Sequence, residues 1–481
     1  MKNMAILAIA GFFAIDISAK TLTERDLVEM ALKESPHVIQ VEATTSRARA
    51  QEAAQEQIYT PRIIVGTSYT QTKRPGAGPG MPVFSPIKNT HLGIQRGLPG
   101  GMTLSGSIFT NQRSTLDGSI SNSTVAGAEV QLTLDLWKNF LGKLDHATIE
   151  AARMSRVKSE AEARIRSKEL EVEVRKLYWS LMANKMSLEI SDRLINSAHQ
   201  QLRLSKKRFA ASVADEVDVV RFKAQKVSRE SLQTQLMFQK TQLESALSNL
   251  VPGLNLQATQ WQPIDISKTI QNVTECTAAI AVRPKNPLTD TAYKKVITAL
   301  DDRYQHQKTI TASQNGADIS LSSSYDSAGV NNSTSNSWKD LGNEPHSGFS
   351  VSLNFSVPIG ASHDRLTNEK AIADERGFQA EKRALLSQIK SQKEAIIPLI
   401  RLLNNAMAQQ KKSTELLRAS VAGINRQYQQ ARISQIQLIQ EQDKLQDSQI
   451  REVEAKLLVI HTLLDHLKVF TDLPCKINQL G

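Results

Sequence analysis

The chain repeats one order of predicted elements twice, and this duplication constrains its fold more than any other feature. In each half, a helical segment is followed by stretches in which apolar and polar residues alternate, and then by two long helices. The alternating stretches end at Leu136 and Val357, and predicted breaks in the long helices fall near Ser212 and Ala431. Both pairs of landmarks are separated by about 220 residues, and this agreement indicates an internal duplication.

The long helices carry apolar residues at every seventh position, a spacing typical of coiled coils. In the first repeat these residues are Val174, Leu181, Leu188, Ile195, Leu202 and Phe209. In the second repeat they include Ile389, Ile396, Leu403, Leu417 and Ile424. We therefore predict antiparallel helical hairpins within 138–250 and 362–470, with a kink or interruption at Pro398. The fold class is α+β, mainly α.

The alternating stretches have the pattern of strands with one apolar and one polar face. In AEVQLTLDLW the apolar positions are Val130, Leu132, Leu134 and Leu136. Strands are predicted within 61–136 and within 317–358, and an additional hairpin is predicted over 90–109. Either four or six strands fit this pattern. We expect four core strands per chain, with the additional hairpin outside them.

Two arrangements of these strands are open: a small soluble sheet, or a membrane β-barrel to which several copies of the chain contribute strands. One chain cannot close a membrane barrel alone, because open strand edges are not tolerated in hydrocarbon. The strands have the length that a tilted membrane strand needs, and their polar faces are rich in Ser, Thr, Gln and Asn. These features favour the shared barrel.

The first nineteen residues have the pattern of a secretory signal peptide. A short basic start, MKNM, precedes the apolar run AILAIAGFFAI and the small residue Ala19. The run is too short to span a bilayer as a helix, which needs about 20 residues. We predict an exported protein with a signal peptide (1–19), a first repeat (20–268), a linker (269–286), a second repeat (287–473) and a tail (474–481).

Composition and motifs argue against an enzyme and against a nucleic-acid partner. The net charge is +11, but the basic residues are mixed with acids along the helices, as in EAEARIRSKELEVEVRK (160–176). The sequence contains no phosphate-binding loop, nucleophile elbow or His-Glu-x-x-His motif. We expect no cofactor and no metal. The two cysteines, Cys276 and Cys475, are compatible with a disulfide in an exported protein, and equally with two thiols.

The order and spacing of several motifs resemble the TolC family of outer-membrane efflux proteins, the outer membrane factors. Residues 21–54 resemble the family's opening, with Ser35-Pro36 in the place of its Asn-Pro pair. RFAASVADEVDVVRFKAQ (208–225) and QYQQARISQIQLIQEQDKL (427–445) resemble its two helix-turn tips, and VPIG (357–360) resembles its strand-to-helix corner. Each motif is weak alone, but together they cover nearly the whole mature chain.

This resemblance implies a homotrimer with a shared β-barrel in the bacterial outer membrane and an α-barrel in the periplasm. The implied function is the outer-membrane channel of a tripartite efflux or type I secretion system. Such a channel passively conducts substrates from an inner-membrane pump and contacts a periplasmic adaptor protein. Val130, Leu132, Leu134 and Leu136 would then face outer-membrane lipid. The alternative is a soluble periplasmic coiled-coil scaffold or adaptor without a pore. The sequence does not choose between drugs, metals and proteins as cargo.

The resemblance also implies roles for residues at the tips. The adaptor-contacting residues are Ser212, Val213, Ala214, Ala431, Arg432 and Ile433, with Ser212 and Ala431 where the family usually has glycine. At the gate, Asp218 and Tyr428 can link neighbouring helices, since a tyrosine hydroxyl can donate a charge-assisted hydrogen bond to a carboxylate. Gln437 and Gln440 occupy positions at which aspartates ring the pore in the family's best-known form. The family also brings the regions of Cys276 and Cys475 close together, which implies a disulfide.

Block by trivalent cations tests whether Gln437 and Gln440 form a gate without charge. Because Gln437 and Gln440 carry no charge, we expect weak cation selectivity and poor block by trivalent cations in bilayer recordings. Strong block at a low concentration of a trivalent cation would contradict the assignment.

Overall fold

The computed structural model describes residues 22–72, 84–115, 123–254, 261, 269–276, 292–430 and 432–470. The predicted signal peptide, Ala431, Cys475 and the predicted tail lie outside these residues. The chain divides into two units, and each contains segments from both halves of the sequence. The helical unit comprises 1–42, 163–291 and 387–481, and the sheet unit comprises 43–162 and 292–386.

Most of the described chain is helical, as the sequence predicts. The helices are α1 Glu24–Glu34, α2 Pro36–Glu56, α3 Lys143–Ala210, α4 Glu216–Leu250, α5 Ala292–Gln314, α6 Thr334–Asn343, α7 Ala361–Gln429 and α8 Gln435–Val469. Residues 269–276 are helical as well. α7 runs through Pro398 as one helix, so this proline does not interrupt it. A single proline removes one backbone hydrogen bond, and the remaining bonds of a helix of 69 residues hold it together.

The core of the helical unit lies where α1 packs against α3, α4 and α8. Its largest fully buried side chains are those of Tyr178 and Trp179, whose rings meet edge to face at 5.5 Å. The Trp179 indole Nε1 donates a hydrogen bond of 3.1 Å to the Glu24 carboxylate, which is 7% exposed. Burial raises the pKa of Glu24, while the nearby Arg175 guanidinium opposes this shift. α1 is therefore fixed to the long helices by a buried polar contact as well as by apolar packing.

Helices in the sheet unit are joined mainly by ion pairs and small apolar contacts. Ala147, Ala151 and Ile310 form a small buried cluster between α3 and α5. Tyr304 stacks on Phe378 with ring centroids 4.3 Å apart. Ion pairs connect Arg49 to Glu160, Arg156 to Glu52, Lys158 to Glu381 and Lys382 to Asp301. The low apolar content of the sequence predicts such narrow apolar contacts between helices.

Within the described residues, the strands form one antiparallel sheet of six strands in chain order. They are β1 Arg62–Thr70, β2 Phe84–Leu98, β3 Met102–Thr115, β4 Ser123–Asp135, β5 Asp318–Asn331 and β6 His346–Ser356. The expectation of four core strands is wrong for this sheet, because the hairpin β2–β3 lies between β1 and β4. β2 pairs with the whole of β1, and β3 pairs with β4 from Met102 to Arg113. Pairing with the hairpin gives hydrogen-bond partners to backbone groups of β1 and β4 that would otherwise lie at open edges of the sheet.

The pairing register places most of the large apolar residues of the six strands on one face. Leu104 lies opposite Leu132, and Val130 lies opposite Tyr325. Many of these side chains are exposed in the single chain: Ile63, Val65, Leu92, Ile94, Leu104, Ile108, Val130, Leu132, Tyr325, Phe349, Val351, Leu353 and Phe355. The opposite face is rich in Ser, Thr, Asn and Gln, as the pairs Gln131–Ser324 and Thr133–Ser322 illustrate. The sheet therefore has one broad apolar surface and one polar surface.

The turn between β2 and β3 packs against the corner where β4 leads into α3. Gly101 has a positive φ of 73°, and a Cβ added to it would lie 2.0 Å from the backbone oxygen of Asn139. The Asn139 side-chain oxygen accepts hydrogen bonds of 3.0 Å from the backbone N–H groups of Leu144 and Asp145 at the start of α3. The additional hairpin is thus fixed to the strand-to-helix corner at a position that only glycine fits.

We expect Gly101→Ala to lower the melting temperature of the purified protein more than Gly100→Ala does. Both glycines have positive φ, which costs alanine about 1–3 kcal/mol at either position. Only Gly101 would also clash with backbone, since the nearest atom to a Cβ at Gly100 is 3.5 Å away, at the end of Met102. Circular dichroism on heating would measure the difference. Equal melting temperatures for the two variants would show that the hairpin does not pack against the corner.

Candidate functional site

The first tip is the turn between α3 and α4. Ser212 takes the left-handed conformation, with φ of 58°, at the position where the resemblance led us to expect glycine. The backbone N–H of Val213 donates to the carbonyl of Arg208 at 2.9 Å, and that of Ala211 donates to the carbonyl of Lys207 at 3.1 Å. These bonds close the end of α3 in the way that a glycine usually permits. The serine therefore keeps the turn despite its side chain.

The second tip, between α7 and α8, has the same backbone bonds. The N–H of Arg432 donates to the carbonyl of Gln427 at 2.9 Å, and that of Gln430 donates to the carbonyl of Arg426 at 3.2 Å. Each of these donors and acceptors has its counterpart in the first tip at the offset that relates Ala431 to Ser212. Ser434 precedes α8 and caps it by accepting from the backbone of Gln437.

Of the predicted adaptor-contacting residues in the second tip, Arg432 and Ile433 are described. Ala431 lies outside the described residues.

The two tips contact each other within the helical unit. The Gln435 side chain, which is 5% exposed, donates a hydrogen bond of 2.8 Å to the backbone carbonyl of Asp218. The Arg208 guanidinium lies over the Tyr428 ring at 4.9 Å from its centroid. Phe222, which is fully buried, meets the same ring edge-on at 6.3 Å. A cation–π contact and an aromatic contact thus connect the first hairpin of helices to the second.

Tyr428 lies close to the predicted latch partner Asp218. Burial raises the pKa of the Tyr428 hydroxyl, the Arg208 charge lowers it, and the charge of Asp218 raises it further. The Asp218 carboxylate has an ion pair of 3.8 Å with Arg221 on its own helix. Among the described residues of one chain, Tyr428 has its ring contacts with Arg208 and Phe222, and a hydrogen bond to Asp218 remains a prediction.

The gate positions Gln437 and Gln440 are both exposed on α8. The two acids that follow them are already paired. Glu441 has an ion pair of 2.7 Å with Lys444, and Asp443 has one of 3.4 Å with Arg229. The second tip therefore presents neutral amides, and the nearby carboxylates are neutralised.

Arg229 is a buried cation that the sequence patterns did not predict. It is 2% exposed and donates to the backbone carbonyl of Leu194 at 2.8 Å and to the Gln442 side chain at 3.3 Å. Burial lowers the pKa of Arg229, and Asp443 opposes this shift. One guanidinium thus connects α3, α4 and α8. Its position two turns after Phe222 in the buried seam of α4 is the signal that could have identified it.

The predicted lipid-facing residues lie on the apolar surface of the sheet. Val130 is 53% exposed and Leu132 is 39% exposed. The backbone N–H of Leu136 donates to the carbonyl of Ile319 at 2.8 Å, which continues the pairing of β4 with β5. Trp137 follows at the end of the strand and is also exposed. No helix in the described parts of the chain combines the length and the apolar character needed to cross a membrane.

Cys276 is 2% exposed in the core of the helical unit and is part of a disulfide bond. The other cysteine of the sequence, Cys475, lies outside the described residues. The described residues contain no group of three or more His, Cys, Asp and Glu side chains that could hold a metal ion.

Comparison with known proteins tests the resemblance. Residues 27–254 match the family model described as "Outer membrane efflux protein". The resemblance to outer-membrane efflux proteins is confirmed. No protein of curated function matches the sequence.

Solved structures with the same fold cover nearly the whole chain. The CusC structure has a TM-score of 0.67 and 14% identity, with 92% of this chain and 91% of that chain covered. The outer membrane protein VceC of Vibrio cholerae has a TM-score of 0.67 and 14% identity, with 93% and 97% covered. The outer membrane channel CmeC of Campylobacter jejuni has a TM-score of 0.65 and 12% identity, with 97% and 93% covered. At such low sequence identities, the similarity to these structures establishes a shared fold and nothing further.

The buried guanidinium at the tips gives a test of this part of the structure. We expect Arg229→Met to destabilise the protein by about 2 kcal/mol, because the Leu194 carbonyl and Asp443 lose their buried partner. The matched control is Lys226→Met, one turn earlier in α4, where the lysine has an ion pair with Glu230 at its partly exposed end. Chemical denaturation followed by circular dichroism measures both variants. A loss of stability no larger than the control's would mean that Arg229 does not join the helices.

Proposed function

We propose that the protein is the outer-membrane channel of a tripartite efflux or type I secretion system and acts as a homotrimer. Substrates pass through it without chemical change. Its sheet lies in the outer membrane and its helices lie in the periplasm, where the tips receive an adaptor protein and an inner-membrane pump. The observation that carries this proposal is the exposed apolar face of the six-stranded sheet.

That face supports contact with lipid because it is large, continuous and backed by a polar face. Soluble monomers rarely expose apolar patches larger than a few hundred Å². Here Ile63 on β1 and Phe355 on β6 are 76% and 70% exposed, at opposite edges of the sheet. The serine- and threonine-rich opposite face suits a water-filled lumen. A soluble scaffold would need a partner to cover the whole apolar surface.

The open edges of the sheet support assembly from several copies. In the described residues β1 and β6 are the edge strands. Unpaired backbone groups at such edges are not tolerated in hydrocarbon, so a membrane barrel must join β6 of one copy to β1 of the next. With six strands per chain, three copies contribute eighteen strands. The additional hairpin thus widens the wall that we propose.

The shape of the tips supports the proposed docking of an adaptor. The first tip exposes Ser212 and leaves Val213 75% exposed, and Ala214 is half-buried beside them. Apolar side chains at an otherwise polar turn are suited to packing against a partner helix. Arg432 and Ile433 occupy the equivalent positions of the second tip.

Lysine substitutions on the two faces of β6 test the membrane location. We expect Leu353→Lys to reduce the amount of trimer in the outer-membrane fraction severalfold, because a lipid-facing lysine costs up to about 2–4 kcal/mol, depending on its depth in the bilayer. The matched control is Ser352→Lys, which places the same charge on the polar face of the same strand. Cross-linking of isolated outer membranes measures the trimer.

Both positions are exposed in the single chain, so a soluble monomer with an uncovered sheet would tolerate both lysines equally. Equal amounts of the two variants, or wild-type protein that is soluble and monomeric, would overturn the proposal.

A further inference from the structure

The two tips carry a large share of the chain's positive charge. Residues 203–226 and 418–444 together contain eleven Lys and Arg against five Asp and Glu, a net charge of +6. The whole chain of 481 residues carries +11. The excess of positive charge is therefore concentrated where the long helices turn.

Ion pairing does not neutralise this charge. The carboxylates of Asp218, Glu441 and Asp443 each have a basic partner. In the part of the chain that the structure describes, no ion pair reaches the following basic residues of the tips: Arg203, Lys206, Lys207, Lys223, Arg418, Arg426 and Arg432. All seven are exposed. Two exposed acids, Asp215 and Glu216, offset only part of their charge.

Two stretches of the tips contain no acidic residue. From Arg193 to Ala214 the sequence has five basic residues and no Asp or Glu. From Leu416 to Gln440 it has three arginines and again no Asp or Glu. Gln437 and Gln440, the neutral gate positions, lie in the second of these stretches.

Helix stabilisation explains only some of these cations. Lys207 and Arg426 lie in the last turns of α3 and α7, where a positive charge interacts favourably with the helix dipole. Arg432 lies just before the start of α8, where a positive charge is unfavourable. Lys223 lies in the first half of α4, far from the end of that helix at which a cation is favoured. These two residues are therefore not placed for helix stability.

Resting on the proposed function, we infer that the tips form an anion-selective entrance to the channel. Its cargo is small molecules that carry carboxylate, sulfate or phosphate groups. In a homotrimer each cation is present three times around the axis, and rings of charged side chains set the selectivity of a pore. At physiological ionic strength the screening length is about 8 Å, so cations at a narrow mouth act on every ion that passes.

Single-channel recording in planar bilayers tests this inference. We reconstitute the full-length trimer and measure the reversal potential in a gradient of potassium chloride. We expect chloride to be more permeant than potassium by at least about twofold, and the preference to weaken as the salt concentration rises. Replacement of chloride by benzoate should preserve the anion preference.

Charge-neutralised variants locate the selectivity. The test variant combines Lys206→Gln, Lys207→Gln, Arg426→Gln and Arg432→Gln. The control combines Lys370→Gln, Arg376→Gln, Arg383→Gln and Lys390→Gln, which removes the same number of lysines and arginines from exposed positions on α7. These control positions all precede Pro398 in α7, many turns before the tip. The test variant should lose the chloride preference, and the control should keep it.

The outcomes separate this inference from the proposed function. Conductance with potassium as permeant as chloride, or more so, would overturn anion selectivity and leave the channel intact. An equal loss of preference in both variants would overturn the assignment to the tips. The absence of any conductance from correctly assembled wild-type trimers would overturn the proposed function itself.

Discussion

The alternation of side chains along a β-strand is the constraint on which the sheet and its proposed role depend. Successive residues point to opposite faces, so a slip of one residue in any of the five pairings would move serines onto the apolar surface. Apart from a register shift between Phe84 and Ile87 at the start of β2, the five pairings keep one phase. Ile94 lies opposite Ile63 at one end of the sheet, and Leu353 lies opposite Leu321 near the other. The apolar surface is continuous only because the pairing registers of neighbouring strands agree.

The pattern of single strands and helices could be predicted from the sequence, because it depends on local spacing. The alternation from Val130 to Leu136 indicated a two-faced strand, and the heptads indicated long helices. The number of strands in the sheet could not be predicted in this way. Whether the hairpin of β2 and β3 joins the sheet depends on pairing with β1 and β4, and on the close packing of Gly101 against Asn139.

At the tips, the contacts of single residues likewise could not be predicted from the sequence. The family resemblance placed Asp218 and Tyr428 near the two turns, but it could not say which side chains would surround the tyrosine. The structure gives it Arg208 and Phe222, which come from the first hairpin and are far from the tyrosine in sequence. Serine stands at position 212, where the resemblance led us to expect glycine. The surrounding backbone bonds nevertheless hold Ser212 in the left-handed conformation.

The two tips are alike in their backbone hydrogen bonds but different in chemistry. At the offset that relates Ser212 to Ala431, the counterpart of Arg208 is Gln427 and the counterpart of Tyr428 is Phe209. An amide beside a phenylalanine cannot reproduce the cation–π contact that joins Arg208 to Tyr428. The hydrogen bond from Gln435 to Asp218 likewise has Glu216 and Gln437 as its counterparts, and a carboxylate is not a donor. The first hairpin therefore cannot take the place of the second at this contact, although both turn in the same way.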